Sequence, residues 1–194
     1  MPGETMESAA GATGAVRGRH EVLLAGEGGQ GMVLAGVVLA EGAVLQGLRA
    51  VQSQWVLGSA ARGSLARSEV VLSDGEIAFP RVRAAGVLLA LTQTALDRSL
   101  PLLAPEATVI LDEDGVRELA GLGPDHRVRR LPIVRTASRL GFRRSMNMYA
   151  LGVLVSETGV LDHASVERAI RKRFGAKAPP NLEAFRAGSG GGPD

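Results

Sequence analysis

Between Glu21 and Ala35 a short apolar run, Val22-Leu23-Leu24-Ala25, breaks into Gly26-Glu27-Gly28-Gly29-Gln30-Gly31 and resumes as Met32-Val33-Leu34-Ala35. The order is strand, glycine turn, helix, the opening of a βα unit. Gly26, Gly28 and Gly31 satisfy the G-x-G-x-x-G spacing. Glycines in that pattern permit a tight turn, let backbone N–H groups approach an anion, and allow the helix to pack closely on the strand. A phosphate, a carboxylate or a neighbouring polypeptide suits such a helix N-terminus, where unpaired N–H groups and the macrodipole favour negative charge. Many βα turns use glycine for packing and bind nothing, so the spacing leaves both readings open.

The helix that follows runs from Met32 to Gln46, with Gly47 as its C′ residue. It is apolar almost all round until Glu41 and Gln46. Such a helix is buried all round: one face lies on a sheet, and the other must meet a second helix or a second protein. Ala50-Val51-Gln52-Ser53-Gln54 then reads as a second strand, giving strand-helix-strand and implying a right-handed parallel crossover. A nicotinamide-dinucleotide site places Asp or Glu about 20 residues beyond its glycines to hold the ribose hydroxyls. This stretch offers Gln52, Ser53 and Gln54 and no acid, which argues against ordinary NAD binding.

At 194 residues the chain suits one well-buried domain. Aromatic residues are only 3%, so the core is built from small aliphatics, and no aromatic platform exists for stacking nucleic-acid bases. Lys172 and Lys177 are the only lysines, within a net charge of +2. Arginines gather at Arg127/Arg129/Arg130, Arg143/Arg144 and Arg171/Lys172/Arg173. Such groups are commonly solvated helix faces, although the guanidinium fork also suits a phosphate or carboxylate. The absence of cysteine excludes disulfides, a thiol nucleophile and any iron–sulfur cluster held by this chain's own thiolates. His20, His126 and His163 lack metal-ligand spacing. No apolar run reaches the length of a membrane span, and the N-terminus lacks the order of a signal peptide. A cytoplasmic protein is expected, with neither membrane nor nucleic acid as partner.

Residues 1–19 carry no period of either kind and read as a disordered leader, and 188–194 read as a disordered tail, leaving one domain over 20–187. Trp55 to Leu65 is a loop of small residues around Arg62, flanked by Gly58 and Gly63, at the sheet edge where open α/β folds place ligands. Ser68 to Leu72 and Ile77 to Pro80, joined by Asp74-Gly75, read as a β-hairpin at an edge. Gly86 to Leu91 has the continuous apolar character of a central parallel strand. Thr94 to Leu103 follows as a helix, and Thr108 to Asp112 and Val128 to Val134 as further strands. Arg135 to Leu140 is a short helix, and Met146 to Thr158 a second helix that is apolar nearly all round. Asp162 caps Ala164 to Phe174, and Pro179-Pro180-Asn181 opens a last helix. Asp112, Glu113 and Asp114 are expected to cap the next helix rather than to bind a metal or ribose. The architecture expected is α/β, a Rossmann-like three-layer domain with a mostly parallel sheet and an edge β-hairpin. No nucleophile elbow, Walker lysine, paired carboxylates or Cys–His couple is present. Together with two over-apolar helices, that suits a subunit of something larger.

Four motifs carry a family resemblance: Gly26 to Gly31 after the first strand, Gly58 and Ala61-Arg62-Gly63 before Ser68-Glu69-Val70, the Ile77 to Pro80 hairpin, and Asn147-Met148-Tyr149-Ala150-Leu151-Gly152. In order and spacing they resemble the gamma subunit of 2-oxoacid:ferredoxin oxidoreductases, within the pyruvate/ketoisovalerate oxidoreductase catalytic domain family, over Glu21 to Ala187. The resemblance implies a complex that oxidatively decarboxylates a 2-oxoacid with coenzyme A and passes electrons to ferredoxin. It implies thiamine diphosphate with Mg between alpha and beta subunits, and iron–sulfur clusters on partners that bear the cysteines. It also admits a delta or ferredoxin-like subunit among the partners, and coenzyme A as co-substrate. By the same resemblance this chain supplies no catalytic residue and no metal ligand. Its part is assembly and the coenzyme A or substrate entrance, with Gly26, Gly28, Gly29, Gln30, Gly31, Arg62 and Gly63 as the contact residues.

The family's loop commonly runs Tyr-Gly-Pro-Glu before Ala-Arg-Gly-Gly, whereas this chain has Leu57-Gly58-Ser59-Ala60 and then Ala61-Arg62-Gly63-Ser64. The departure bears on substrate and coenzyme A use more than on fold. Related indolepyruvate oxidoreductases have a similar subunit, which keeps an aryl substrate open. Two further readings stand beside this one: a stand-alone dinucleotide-binding oxidoreductase, and a scaffold subunit with no ligand contact.

Overall fold

The computed structural model describes residues 18–57 and 64–190. In chain order they form β1 (Arg19–Glu27), α1 (Met32–Leu45), β2 (Arg49–Leu57), β3 (Leu65–Ser73), β4 (Ala85–Ala90), α2 (Gln93–Asp97), β5 (Leu103–Asp112), β6 (Arg127–Leu131), α3 (Ile133–Arg139), α4 (Met146–Thr158), α5 (His163–Phe174) and α6 (Ala178–Gly188), with 3-10 turns at Leu100–Leu102 and Gly175–Lys177.

One six-stranded sheet, in the order β2-β3-β1-β4-β5-β6, organises the domain. β1, β4, β5 and β6 are parallel, and β3 is antiparallel to both of its neighbours. The apolar run Val22 to Ala25 is fully buried, as a central strand covered on both faces requires. Its side chains alternate across the sheet. Val22 and Leu24 join Leu89 and Ile110 beneath α1, α4, α5 and α6, whereas Leu23 and Ala25 join Leu88 and Leu111 on the face that α2 covers. This is the three-layer α/β domain that the pattern predicts.

Helices close on the sheet and on each other through glycine. A Cβ on Gly36 of α1 would overlap the Ser68 side chain of β3. One on Gly152 of α4 would overlap the Phe185 carbonyl of α6, and one on Gly188 of α6 the Tyr149 carbonyl of α4. From Asn147 to Val155 α4 is buried, so its all-round apolar sequence is satisfied within the domain. α1 is covered less completely. Val33, Leu34, Val37 and Ala40 are half-buried, and Val44 is 58% exposed.

Several expectations change for topological reasons. The edge hairpin exists, but β2 and β3 form it, and Ile77 to Pro80 is irregular. Both sides of β3 are already hydrogen-bonded, so no edge remains for the Ile77 segment. The Phe79 and Arg81 carbonyls there instead accept from the Arg19 guanidinium, each at 2.8 Å. β3 is therefore an inner strand and β2 the edge. The connection from β1 through α1 reaches β2 in parallel orientation but not beside β1, because β3 lies between them.

The helix expected over Thr94 to Leu103 shrinks to α2 and a 3-10 turn. Pro101 has no N–H for an α-helical bond, and the Ser99 hydroxyl donates to the Ala95 carbonyl at 2.7 Å. Asp162 occupies the N-cap of α5, yet its side chain makes no cap bond. α6 continues to Gly188, past the expected limit at 187, and Arg19 already belongs to β1. The rest of the expected leader, to residue 17, and the end of the expected tail, 191–194, lie outside the described residues.

Candidate functional site

β1, β4 and β5 end together, bringing the glycine turn, Leu91-Thr92 and Asp112 to one edge of the sheet. The turn is held from three directions. The Gln30 side chain folds back over Gly26, where a Cβ would overlap it, and its Oε1 accepts the Glu27 N–H at 2.7 Å. Gly28 donates its N–H to the Ser64 carbonyl at 2.7 Å, and a Cβ on it would lie 2.7 Å from the Ser64 hydroxyl oxygen. Gly31, the N-cap of α1, faces Asn147 of α4, whose amide nitrogen would lie 2.8 Å from a Cβ.

Gly29 and Gly31 have φ of +96° and +75°, backbone that glycine adopts at little steric cost. The room left by absent side chains is thus filled by Gln30, Ser64 and Asn147 at Gly26, Gly28 and Gly31. Gly29 meets nothing within 4 Å. The α1 N-terminus has no side-chain cap and no acid in its first turn, so its positive end is not offset by this helix's own side chains.

The topology also removes the usual dinucleotide geometry. That geometry needs the strand after the first helix to lie beside β1. With β3 between, Gln52, Ser53 and Gln54 stand two strand spacings away, about 10 Å, and the Gln52 amide donates to the Ser68 hydroxyl at 2.9 Å.

A cleft of about 700 Å³ lies beside the turn, between Gln30, Thr92 and Asp112 on the sheet side and Arg135 and Arg139 of α3. Most of its polar groups are committed to the fold. Asp112, 2% exposed, accepts the N–H groups of Gly115 at 2.8 Å and Val134 at 2.9 Å. Val134 is in the first turn of α3, where Pro132 stands at the N-cap and supplies no side-chain cap bond. Asp112 therefore caps a helix across the sheet edge, and no helix follows it in residues 113–126. α3 is the next helix in chain order, so Asp112 takes the capping role expected of it, but from across the sheet edge rather than from the adjoining residue.

Arg135 pairs with Glu113 and, at 3.0 Å, with Asp114. The Thr92 hydroxyl accepts the Ala95 N–H at 3.3 Å as the cap of α2. No nucleophile and base are brought together in this cleft, and among the described residues no group of three or more His, Cys, Asp or Glu is placed to hold a metal. At the other end of β1, burial would push the Glu21 carboxyl up. The N–H groups of Ala84 at 2.8 Å and Arg83 at 2.6 Å, with the Arg19 guanidinium at 2.6 Å, outweigh that and hold it below the usual carboxylate range.

Gly26, Gly28, Gly29, Gln30 and Gly31 come together as the spacing predicts. Arg62 and Gly63 lie outside the described residues, although their neighbour Ser64 abuts Gly28. The partners that sequence reasoning missed are Ser64 and, as a contact of the turn, Asn147. The latter left a signal, a buried amide in an otherwise apolar helix.

Residues 21–190 match the family described as pyruvate ferredoxin/flavodoxin oxidoreductase. The chain is 40% identical over 182 residues to a 2-oxoglutarate synthase subunit KorC of Methanothermobacter thermautotrophicus, covering 88% of this chain and 93% of that one. It resembles the crystal structure of a keto/oxoacid ferredoxin oxidoreductase gamma subunit from Geobacter sulfurreducens with a TM-score of 0.73 at 36% identity, covering 87% of this chain and 95% of that chain. The fold recurs, with a TM-score of 0.79 at 22% identity, in 2-oxoglutarate:ferredoxin oxidoreductase from Magnetococcus marinus, where it matches 90% of this chain and 31% of that one.

Proposed function

The chain belongs to the pyruvate ferredoxin/flavodoxin oxidoreductase family, and on that premise we propose that it is the gamma-type subunit of a thiamine-diphosphate-dependent 2-oxoglutarate:ferredoxin oxidoreductase. The complex would convert 2-oxoglutarate, coenzyme A and oxidised ferredoxin into the acyl-coenzyme A, carbon dioxide and reduced ferredoxin. The observation that carries this reading is the near end-to-end likeness to a subunit named for 2-oxoglutarate synthase, 40% identical across 93% of its length.

The chemistry of this chain supports a part without catalysis of its own. The cleft beside the glycine turn holds committed ion pairs and caps rather than an acid–base couple. With no cysteine in the sequence, iron–sulfur clusters belong on partner chains. Thiamine diphosphate supplies the carbanion chemistry when bound with Mg on the alpha and beta subunits. A delta or ferredoxin-like subunit would relay the electrons. The glycine turn and the loop bearing Arg62 and Gly63 form the coenzyme A and substrate entrance in this reading, supported by the bond from Gly28 to Ser64, the residue that follows Gly63. The exposed Val44 of α1 and Val56 of β2, at 58% and 56%, support burial against partner chains. No helix among the described residues is long and apolar enough to cross a membrane, in keeping with a proposed cytoplasmic complex.

The test is affinity purification of the tagged chain from its native cell, followed by mass spectrometry and an assay of coenzyme A-dependent viologen reduction. Recovery with a thiamine-binding pair, and greater activity with 2-oxoglutarate than with pyruvate, 2-oxoisovalerate or an aryl pyruvate, is expected. A lone chain overturns the subunit reading, and preference for another 2-oxoacid overturns the substrate. In the intact complex Arg62→Ala is expected to raise the KM for coenzyme A, whereas an unchanged KM supports the scaffold reading.

A further inference from the structure

A second cleft, of about 760 Å³, reaches Leu34 in the first turn of α1. Arg143 and Arg144 from the α3–α4 turn and Lys177 at the start of α6 line it, and no carboxylate does. Several other arginines hold carboxylate partners, Arg129 on Glu157, Arg173 on Glu41, and Arg171 and Arg186 on Glu167; what sets the cleft apart is that its cations are gathered on one concavity. Arg143, Arg144 and Lys177 have no side-chain hydrogen bond or ion pair among the described residues. Three cations gathered on one concavity repel one another, so the folded chain leaves there a positive potential that an anion would relieve.

The backbone adds to it. Ser145 stands at the N-cap of α4, is 7% exposed, and makes no cap bond, so its hydroxyl is unpartnered among the described residues while lining the cleft. α4 begins here, with neither a side-chain cap nor an acid in its first turn. One helix N-terminus, an unpartnered hydroxyl and three free cations are the donor set for clustered phosphates. Leu34, Phe174 and Pro180 give the same cleft apolar walls, and its volume is in the range of small-ligand sites.

We propose that this cleft binds a ligand carrying a nucleoside diphosphate. The phosphates sit on Arg143, Arg144, Lys177 and the Ser145 hydroxyl, and the ring and sugar pack on Leu34, Phe174 and Pro180. The ligand assigned to this cleft is a free nucleoside diphosphate, since the functional reading above places coenzyme A at the glycine turn and the Arg62 loop. The cleft is separate from the one beside Gln30 and Asp112.

The full chain, alone and in its recovered complex, is titrated calorimetrically with ADP, adenosine, coenzyme A and a poly-glutamate peptide. Saturable ADP binding is expected, tighter than adenosine by about tenfold or more. Arg143→Ala/Arg144→Ala is expected to weaken ADP by about a hundredfold and Lys177→Ala by about tenfold, while Arg127→Ala, an exposed arginine outside the cleft, leaves it unchanged. Melting temperatures of the unliganded variants check that each is folded. Tighter binding of coenzyme A than of ADP, with competition between them, overturns the assignment to a free nucleotide. ADP binding without coenzyme A binding assigns it to a free nucleotide. The proposal is overturned if neither nucleotide binds chain or complex, if the double variant binds ADP like the parent, or if only the acidic peptide binds. Direct binding is the readout, so loss of this site and loss of 2-oxoglutarate-dependent activity are separable results.

Discussion

Asn147 packs on Gly31 from a position 116 residues away, so the tightness of the turn depends on a residue that local spacing does not reveal. Gly31→Ala would place a side chain in left-handed backbone and against that amide. A loss of about 3 kcal/mol in urea unfolding is expected. Gly29→Ala has the same backbone sign but open space, and should lose only about 1–2 kcal/mol. A similar loss at both positions would show that Asn147 gives way. The spacing thus predicted which residues form the turn, while Ser64 and Asn147, which fill it, are set by tertiary packing.

Asp112 was visible as an acid after a strand, but its target Val134 lies 22 residues on, beyond the reach of a local capping rule. Asp112→Ala would strand two N–H donors and is expected to lower stability by about 2–4 kcal/mol. Glu21 is the residue whose contribution moves with acidity. Its folded carboxyl titrates below the ordinary value of 4.5, so its stabilisation is full above that value and is lost as the pH falls through the lower folded pKa. Glu21→Gln should therefore unfold at lower urea than the parent at neutral pH, with the deficit closing in acid.

At the scale of elements, periodicity served well where neighbours in sequence decide. Helix α4 spans the predicted Met146 to Thr158, and α1 ends one residue early with Gly47 in left-handed backbone at the predicted C′ position. Strand partners were not legible. The β-branched apolar run Val70 to Leu72 before Asp74-Gly75 marks a strand, yet nothing local says that β2 and β1, rather than Ile77 to Pro80, flank it. Gly36 carries the contact that seats α1 on this inner strand. Gly36→Ala should lower stability by about 1–3 kcal/mol through overpacking, and Ser68→Gly in the same chain should recover part of it, a coupling that a double-mutant cycle measures. Additive losses would mean that α1 and β3 adjust independently.

For the whole molecule, the sequence presented two helices too apolar for water, and only one of them remains open. α4 is enclosed by its own chain, whereas α1 shows Val44 to solvent. Which of these two apolar helices would be covered depends on how α5 and α6 fold back: α1 is the more apolar of the two, yet it is the one left open. Val44→Lys should leave the unfolding free energy of the isolated chain within about 0.5 kcal/mol while reducing recovery of partner subunits from the cell. Unchanged recovery would place the partner contact elsewhere.

The position of β3 between β2 and β1 also orders how the sheet can assemble. β2 ends at Leu57 and β3 starts at Leu65, a sequence separation that closes at small entropic cost, whereas β1 pairs with β3 in a register that puts Arg19 opposite Ser73, and β4 to β6 add by longer excursions. Refolding should therefore begin in the antiparallel half and spread toward β6. In pulsed hydrogen exchange, amide protons of Val70 to Leu72 are expected to gain protection before those of Leu88 and Leu89; the opposite order would mean that the parallel half nucleates the fold.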